Sequence, residues 1–270
     1  MILKSVSEGI KFILSLKTTI PYFLLHLLTF YSLIGFFSIL INITSSNMGI
    51  LGRLFSLGIY LPLFILIGLA YLWVNGAIID QAKNYPRRKS LTKSFKYSTS
   101  KYLTILCAAI LYVILTAIFS SLPYIGSILS FILSLFLFFL YPVIIVDNKG
   151  CLDSFKKSIN TFLKFPLETF VTWLLMSIIG FIIVGIFAIP LISLFLGKIV
   201  ETLANSTASP MNVNGSQPFL NSLASVFMSS FHSPFFILSL VILCIGFAIS
   251  SAFQIGTQTR LYINTRKSEI

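Results

Sequence analysis

The residues able to do acid–base, nucleophilic or metal chemistry are few: two histidines, His26 and His232, seven acids and three cysteines in 270 residues. No H-E-x-x-H pair, Gly-rich phosphate loop or defensible Ser-His-Asp arrangement can be drawn from them, so no metal site and no cofactor is expected, and the chain reads as a non-enzyme. Cys107, Cys151 and Cys244 fall in an apolar run, a basic segment and another apolar run. They read as small apolar residues, with no external disulfide expected.

What remains are polar side chains inside long apolar stretches, because an unsatisfied polar group in hydrocarbon is costly and turns toward a cavity or another helix. His26, Asn75 and Gln254 are of this kind. For each, packing or interhelical hydrogen bonding competes with a substrate or proton role. Asp80 and Asp147 each follow an apolar run and precede a basic segment, which suits helix capping or an ion pair.

These residues are positioned by membrane-spanning helices. From Tyr102 to Val146 there is no Lys, Arg, Asp or Glu; 57% of the chain is hydrophobic and 10% charged, with a mean hydropathy of +0.97. No ordinary soluble domain has this composition. Since about 20 apolar residues span the hydrocarbon as a helix, six spans are expected: Ile20 to Ile41, Leu54 to Ile79, Tyr102 to Ser120, Ile125 to Val146, Thr169 to Leu196 and Phe235 to Thr257. In lipid the backbone must satisfy itself, and these unbroken runs are helical rather than the alternating segments of a barrel. The expected class is all-α, a single polytopic membrane domain over residues 1–270. The charge-free run from Tyr102 must be two helices, since one would reach about 68 Å, and Ser120-Ser121-Leu122-Pro123-Tyr124-Ile125-Gly126 supplies the turn. Pro62, Pro142 and Pro190 lie within spans, where each removes a backbone donor; Pro190 is expected to end the fifth span early. The first span reads as an uncleaved anchor, being longer than a signal-peptide core.

With the N-terminus inside, 17 of the 19 basic residues face the cytoplasm, and only Arg53 and Lys198 fall outside. That bias places both termini in the cytoplasm of a cell membrane. The net charge of +12 is then a face apposed to anionic headgroups rather than a nucleic-acid signal.

The basic segments repeat. Ser94-Phe95-Lys96-Tyr97-Ser98-Thr99-Ser100-Lys101-Tyr102-Leu103 aligns without gaps to Ser154-Phe155-Lys156-Lys157-Ser158-Ile159-Asn160-Thr161-Phe162-Leu163, with five identities in ten. At the N-terminus Leu3, Val6, Ile10, Ile13 and Leu14 repeat the spacing of Leu152, Phe155, Ile159, Phe162 and Leu163, on one helical face. The chain therefore parses as three units of amphipathic elbow helix plus transmembrane hairpin, starting near Ile2, Lys89 and Gly150, with pseudo-threefold or irregular symmetry. The elbows either lie in the interface, with Lys93, Lys96, Lys156 and Lys157 reaching anionic lipid, or pack as joints on the bundle.

The span end Leu140-Tyr141-Pro142-Val143-Ile144-Ile145-Val146, running into Asp147-Asn148-Lys149-Gly150-Cys151-Leu152-Asp153-Ser154-Phe155, resembles the recurring elbow of a group of six-helix membrane proteins. These are the membrane domain found beside glycerophosphodiester phosphodiesterases and related uncharacterised bacterial and archaeal families. The resemblance implies a six-helix membrane domain and no catalytic residues, because the phosphodiesterase chemistry of that group resides in a separate soluble domain.

Gly180 with Gly185, and Ala248 with Ala252, offer close helix approach. The longest external connection is expected from Lys198 to Ser233, with Phe219, Leu220, Leu223, Phe227 and Phe231 forming a short amphipathic helix. It carries glycosylation acceptor patterns at Asn205 and Asn214, with a third at Asn42. Two functions fit: handling or transport of a lipid or other amphiphile, or a membrane scaffold or accessory subunit whose basic cytoplasmic face recruits a soluble protein partner or an ATPase. The absence of charge within the spans disfavours ion-coupled transport and places lipid handling ahead, with membrane lipids as the expected partners.

Overall fold

The computed structural model describes residues 1–13, 16–45, 58, 60–86, 89–207 and 233–268. Among these the chain is helical and carries no strand: α1 (Ile2–Ile13), α2 (Leu16–Ser45), α3 (Tyr60–Asn84), α4 (Leu91–Ser120), α5 (Gly126–Phe136), α6 (Leu140–Val146), α7 (Cys151–Lys164), α8 (Pro166–Thr207) and α9 (Pro234–Lys267). Among the described residues six stretches are long and apolar enough to cross a membrane: Lys17–Ile39, Tyr60–Asn84, Leu91–Ser120, Gly126–Val146, Pro166–Val200 and Pro234–Lys267. They fit the six expected spans of a multi-pass membrane protein.

The prolines act differently at their three positions. Pro62 is the third residue of α3 as described. Pro142 accompanies a break between α5 and α6. Pro190, contrary to expectation, does not end its helix: α8 runs through it to Thr207. A proline inside a helix forfeits one hydrogen bond, whereas a helix end in hydrocarbon would leave several carbonyls unpaired, so continuation costs less. The first ten residues of the expected external loop, Lys198–Thr207, are therefore helical. The amphipathic segment from Phe219 to Phe231, His232 and Asn214 lie outside the described residues. Asn42 and Asn205 fall on helical backbone.

The expected turn between α4 and α5 is tight. Tyr124 has φ 65°, Gly126 N–H donates to Leu122 O at 2.9 Å, and a Cβ on Gly126 would lie 2.4 Å from Phe119 O. Only glycine fits there.

The chain divides into two compact units. The first comprises Met1–Tyr22, Gly68–Phe181 and Ala248–Ile270. Its core centres on α6, whose Leu140, Val143, Ile144 and Ile145 are almost wholly buried with Phe139, Phe253 and Leu261. The second comprises Phe23–Ile67 and Ile182–Phe247 and is held by rings: Phe36 edge-on to Tyr60 and Phe64, Phe30 against Phe247, and Phe195 against Phe236.

Within the first unit the three elbows share one docking scheme. Each offers small residues to the second helix of a hairpin. On α4, Ser94 Oγ donates to Asp80 at 2.6 Å and Ser98 Oγ to Trp73 O at 2.7 Å, over Gly76, whose Cβ would collide with Ser98. On α7, Ser158 Oγ donates to Phe136 O at 2.9 Å. On α1, Ser5 accepts from Asn264 at 3.0 Å and Gly9 leaves room for Thr257. The contact pattern is cyclic, since the first elbow closes onto the last helix. Leu3, Ile10, Leu103, Leu152 and Leu163 remain exposed, whereas Val6 and Phe12 of α1 are buried with its small residues and Phe155 and Ile159 of α7 pack against the core, so each elbow docks by one face and keeps part of its apolar surface outside. The joints differ. Phe165, preceding Pro166, leaves the α conformation and separates α7 from α8, whereas no proline interrupts α4, where elbow and span are one helix.

Candidate functional site

The break in the fourth span is a local consequence of Pro142. Its missing N–H leaves Phe138 O without the usual donor, and the chain rises through one tightened turn in which Phe138 N–H reaches Leu135 O at 3.2 Å and Leu140 N–H reaches Leu137 O at 3.0 Å. Three backbone groups are thereby freed: Phe136 O, Phe138 O and Phe139 N–H. Other helices satisfy all three. Ser158 on α7 donates to Phe136 O and accepts from Phe139 N–H at 3.2 Å, and Gln258 on α9 donates its side-chain amide to Phe138 O. A broken helix at membrane depth is tolerable only with such partners or a polar cavity; here both are present.

A cavity of about 270 Å³ opens beside the broken turn. Leu137, Phe138, Leu140, Trp173 and Met176 supply apolar walls, while Tyr112, Tyr141, Ser134, Ser177, Gln254 and Gln258 supply polar atoms. Among the described residues the lining contains no Lys, Arg, Asp, Glu or His. Ser134 and Ser177 hydroxyls donate to their own helices, to Phe131 O at 2.7 Å and Trp173 O at 2.9 Å. Among the described residues the hydroxyls of Tyr112 and Tyr141 make no hydrogen bond, and the Gln254 amide has only Ser250 Oγ at 3.4 Å. Gly180 clears the way for Gln254, since a Cβ there would lie 2.8 Å from its amide nitrogen. Gln254 and Ser177 are exposed and form the mouth.

Of the polar residues singled out in the sequence, only Gln254 belongs to this cavity. Asn75 accepts a hydrogen bond from Tyr22 OH at 2.5 Å. His26 lies against Phe247, ring centroids 5.4 Å apart. Ala248 and Ala252 are buried, as close packing requires, but Gly185 has open space beside it. Tyr112, Tyr141 and Gln258 were not anticipated. Tyrosines inside apolar runs look like core, but Gln258 lies one helical turn from Gln254 on the same face, a spacing visible in the sequence.

The two acids after spans are ion-paired, as their positions suggested. Asp80 takes Lys89 Nζ at 2.6 Å. Asp147 takes Lys157 Nζ, Arg266 at 2.8 Å and Tyr262 OH, tying the end of α6 to α7 and α9. Beside it, Lys83 Nζ caps Val146 O at 3.0 Å. Lys157, read as a lipid contact, is therefore engaged by Asp147. Lys156 joins Lys149, Lys164 and Asn160 around a polar cavity of about 380 Å³ that Asp153 also lines. Lys93 and Lys96 are exposed on the first turns of α4.

The structure also brings Cys107 of α4 to Cys151 at the start of α7, with the Cys107 thiol donating across 2.6 Å between the sulfurs. Burial and this contact push the Cys151 thiol up to about 11, so thiolate is scarce at neutral pH. Diamide, which takes up the two thiol hydrogens as it becomes a hydrazine, is expected to link Cys107 to Cys151 within one chain, faster as pH rises. Peptide mapping that found Cys107 bonded only to a second chain would contradict this placement.

Compared with protein-family models, curated proteins and solved structures, the chain finds no match in any of the three.

Proposed function

We propose that this multi-pass membrane protein sits in the cell membrane with both termini in the cytoplasm, and that it binds and handles a membrane lipid or similar amphiphile without catalysing a reaction. The observation that carries this reading is the cavity at the broken fourth span. Irregular backbone within a span is expensive, and where membrane proteins retain it the break commonly lines a binding site. The mixture of aromatic walls with a few convergent polar atoms is the usual composition of a small-molecule site. A lining without acids, bases or cations suits holding a ligand better than transforming one.

Exposed Leu3, Leu103, Leu152 and Leu163 beside exposed Lys93, Lys96 and Lys156 support elbows in contact with acidic lipid. The lysine-lined cavity on α7 favours a second reading, an accessory subunit that docks a soluble acidic partner there.

Mass spectrometry of the protein extracted into native membrane discs separates the two. Selective enrichment of one lipid class over an unrelated six-span control supports lipid handling. A stoichiometric polypeptide without lipid enrichment supports the accessory subunit. For orientation, a cysteine introduced between residues 208 and 232 should react with an impermeant maleimide in intact cells, whereas Lys149→Cys should not. Lys149 is a better reporter than Cys151, whose thiol is occupied by Cys107.

A further inference from the structure

Resting on that reading, we infer that the cavity at the broken fourth span takes the uncharged hydroxyl end of a lipid, an acylglycerol or an isoprenoid alcohol, and discriminates against phosphate headgroups. A cavity of about 270 Å³ falls just under the roughly 300 to 1,000 Å³ of sites for whole drug-sized ligands. It has room for the polar end of a lipid, with the tail left outside. The mouth at Gln254 and Ser177 is flanked by exposed Leu174 and Ile178, an apolar rim against which a chain can lie.

The lining selects the chemistry of that end. A phosphate would enter without a cation to meet it, and an unpaired charge in a low-dielectric site is strongly disfavoured. An alkane end would leave the polar groups unanswered. The phenol hydroxyls of Tyr112 and Tyr141 and the amide of Gln254 present both donors and acceptors, and Gln258 retains its carbonyl oxygen after its amide is committed to Phe138 O. A hydroxyl, which donates and accepts at once, answers such a set. Gly180 reinforces the point: a side chain there would displace the Gln254 amide.

The test is native mass spectrometry of the full chain in phosphatidylcholine discs, offered in separate arms diacylglycerol, a long-chain isoprenoid alcohol, phosphatidylglycerol and hexadecane. The expected result is one molecule per chain of at least one alcohol, the two alcohol arms identifying the source, with retention falling about tenfold in Tyr141→Phe and Gln254→Leu. Tyr112→Phe serves in place of either variant whose melting temperature drops. Preferential retention of phosphatidylglycerol would overturn the inference while leaving lipid handling intact. Alcohol retention indifferent to all three substitutions would place binding elsewhere and overturn it as well. Retention of nothing in any arm would count against both.

Discussion

Ser158→Ala is expected to destabilise the protein by about 3 kcal/mol, far more than an ordinary serine truncation, because one hydroxyl satisfies two backbone groups of the broken turn. Without it Phe139 N–H and Phe136 O are left unpaired in a buried site, at about 1–3 kcal/mol each. Ser154→Ala, four residues earlier on the same face, is the control. That hydroxyl donates only to Gly150 O in its own first turn, and its loss should cost about 1 kcal/mol or less. Reversible unfolding in mixed detergent–SDS micelles measures both. Equal losses for the two serines would mean that Ser158 does not splice the break. Pro142→Ala makes the complementary change. It restores an N–H able to reach Phe138 O, competes with Gln258, and should reduce lipid retention more than stability.

Asp147→Ala is expected to cost a similar amount, about 3 kcal/mol, by breaking the junction of α6, α7 and α9. Its side chain is only 4% exposed. Removal strips Lys157 of its partner and takes the Asp147 carboxylate from the Tyr262 hydroxyl; breaking a buried pair from one side costs about 3–5 kcal/mol, reduced here because Arg266 is half exposed. The pH dependence has a definite sign. Burial alone would raise the Asp147 carboxyl, but hydrogen bonds from Lys157 and Tyr262 and the charges of Lys157 and Arg266 outweigh it and hold the group below the usual carboxylate value. A carboxyl depressed in the folded state contributes stability that is complete above its unfolded value of about 3.9 and is lost as pH falls through the folded one. The stability gap between wild type and Asp147→Asn should therefore be constant from pH 8 to 5 and narrow below about pH 4. A gap that closed near pH 6 or 7 would refute this assignment.

The spans were legible because the bilayer imposes a length and a composition, and the Ser120–Gly126 turn was legible because it combines proline with glycine. Proline alone was ambiguous: Pro142 and Pro190 look alike in sequence, yet only the first lies beside Ser158 and Gln258, which can satisfy the freed backbone. The repeat of Ser94 and Ser98 at Ser154 and Ser158 was visible, but its meaning was not. Those serines dock the elbows on neighbouring helices, and residues that meet a distant helix have no local pattern to declare it. The same holds for the cavity. Gln254 stood out as polar in an apolar run, whereas Tyr112 and Tyr141 are indistinguishable from core aromatics until four spans converge on them. Cys107 and Cys151 are 44 residues apart in sequence, and only the packing of α7 against α4 makes them neighbours.

The central claim is that an amphiphile occupies the cavity at the broken fourth span, and photocrosslinking at its mouth tests this most directly. With Ser177 replaced by p-benzoylphenylalanine and the protein irradiated in its own membrane, a discrete lipid adduct is predicted. The same label at Ile110, exposed on α4, should capture only the mixture of bulk lipids. Adducts of identical composition at both positions would show that the cavity selects nothing, and would contradict the account.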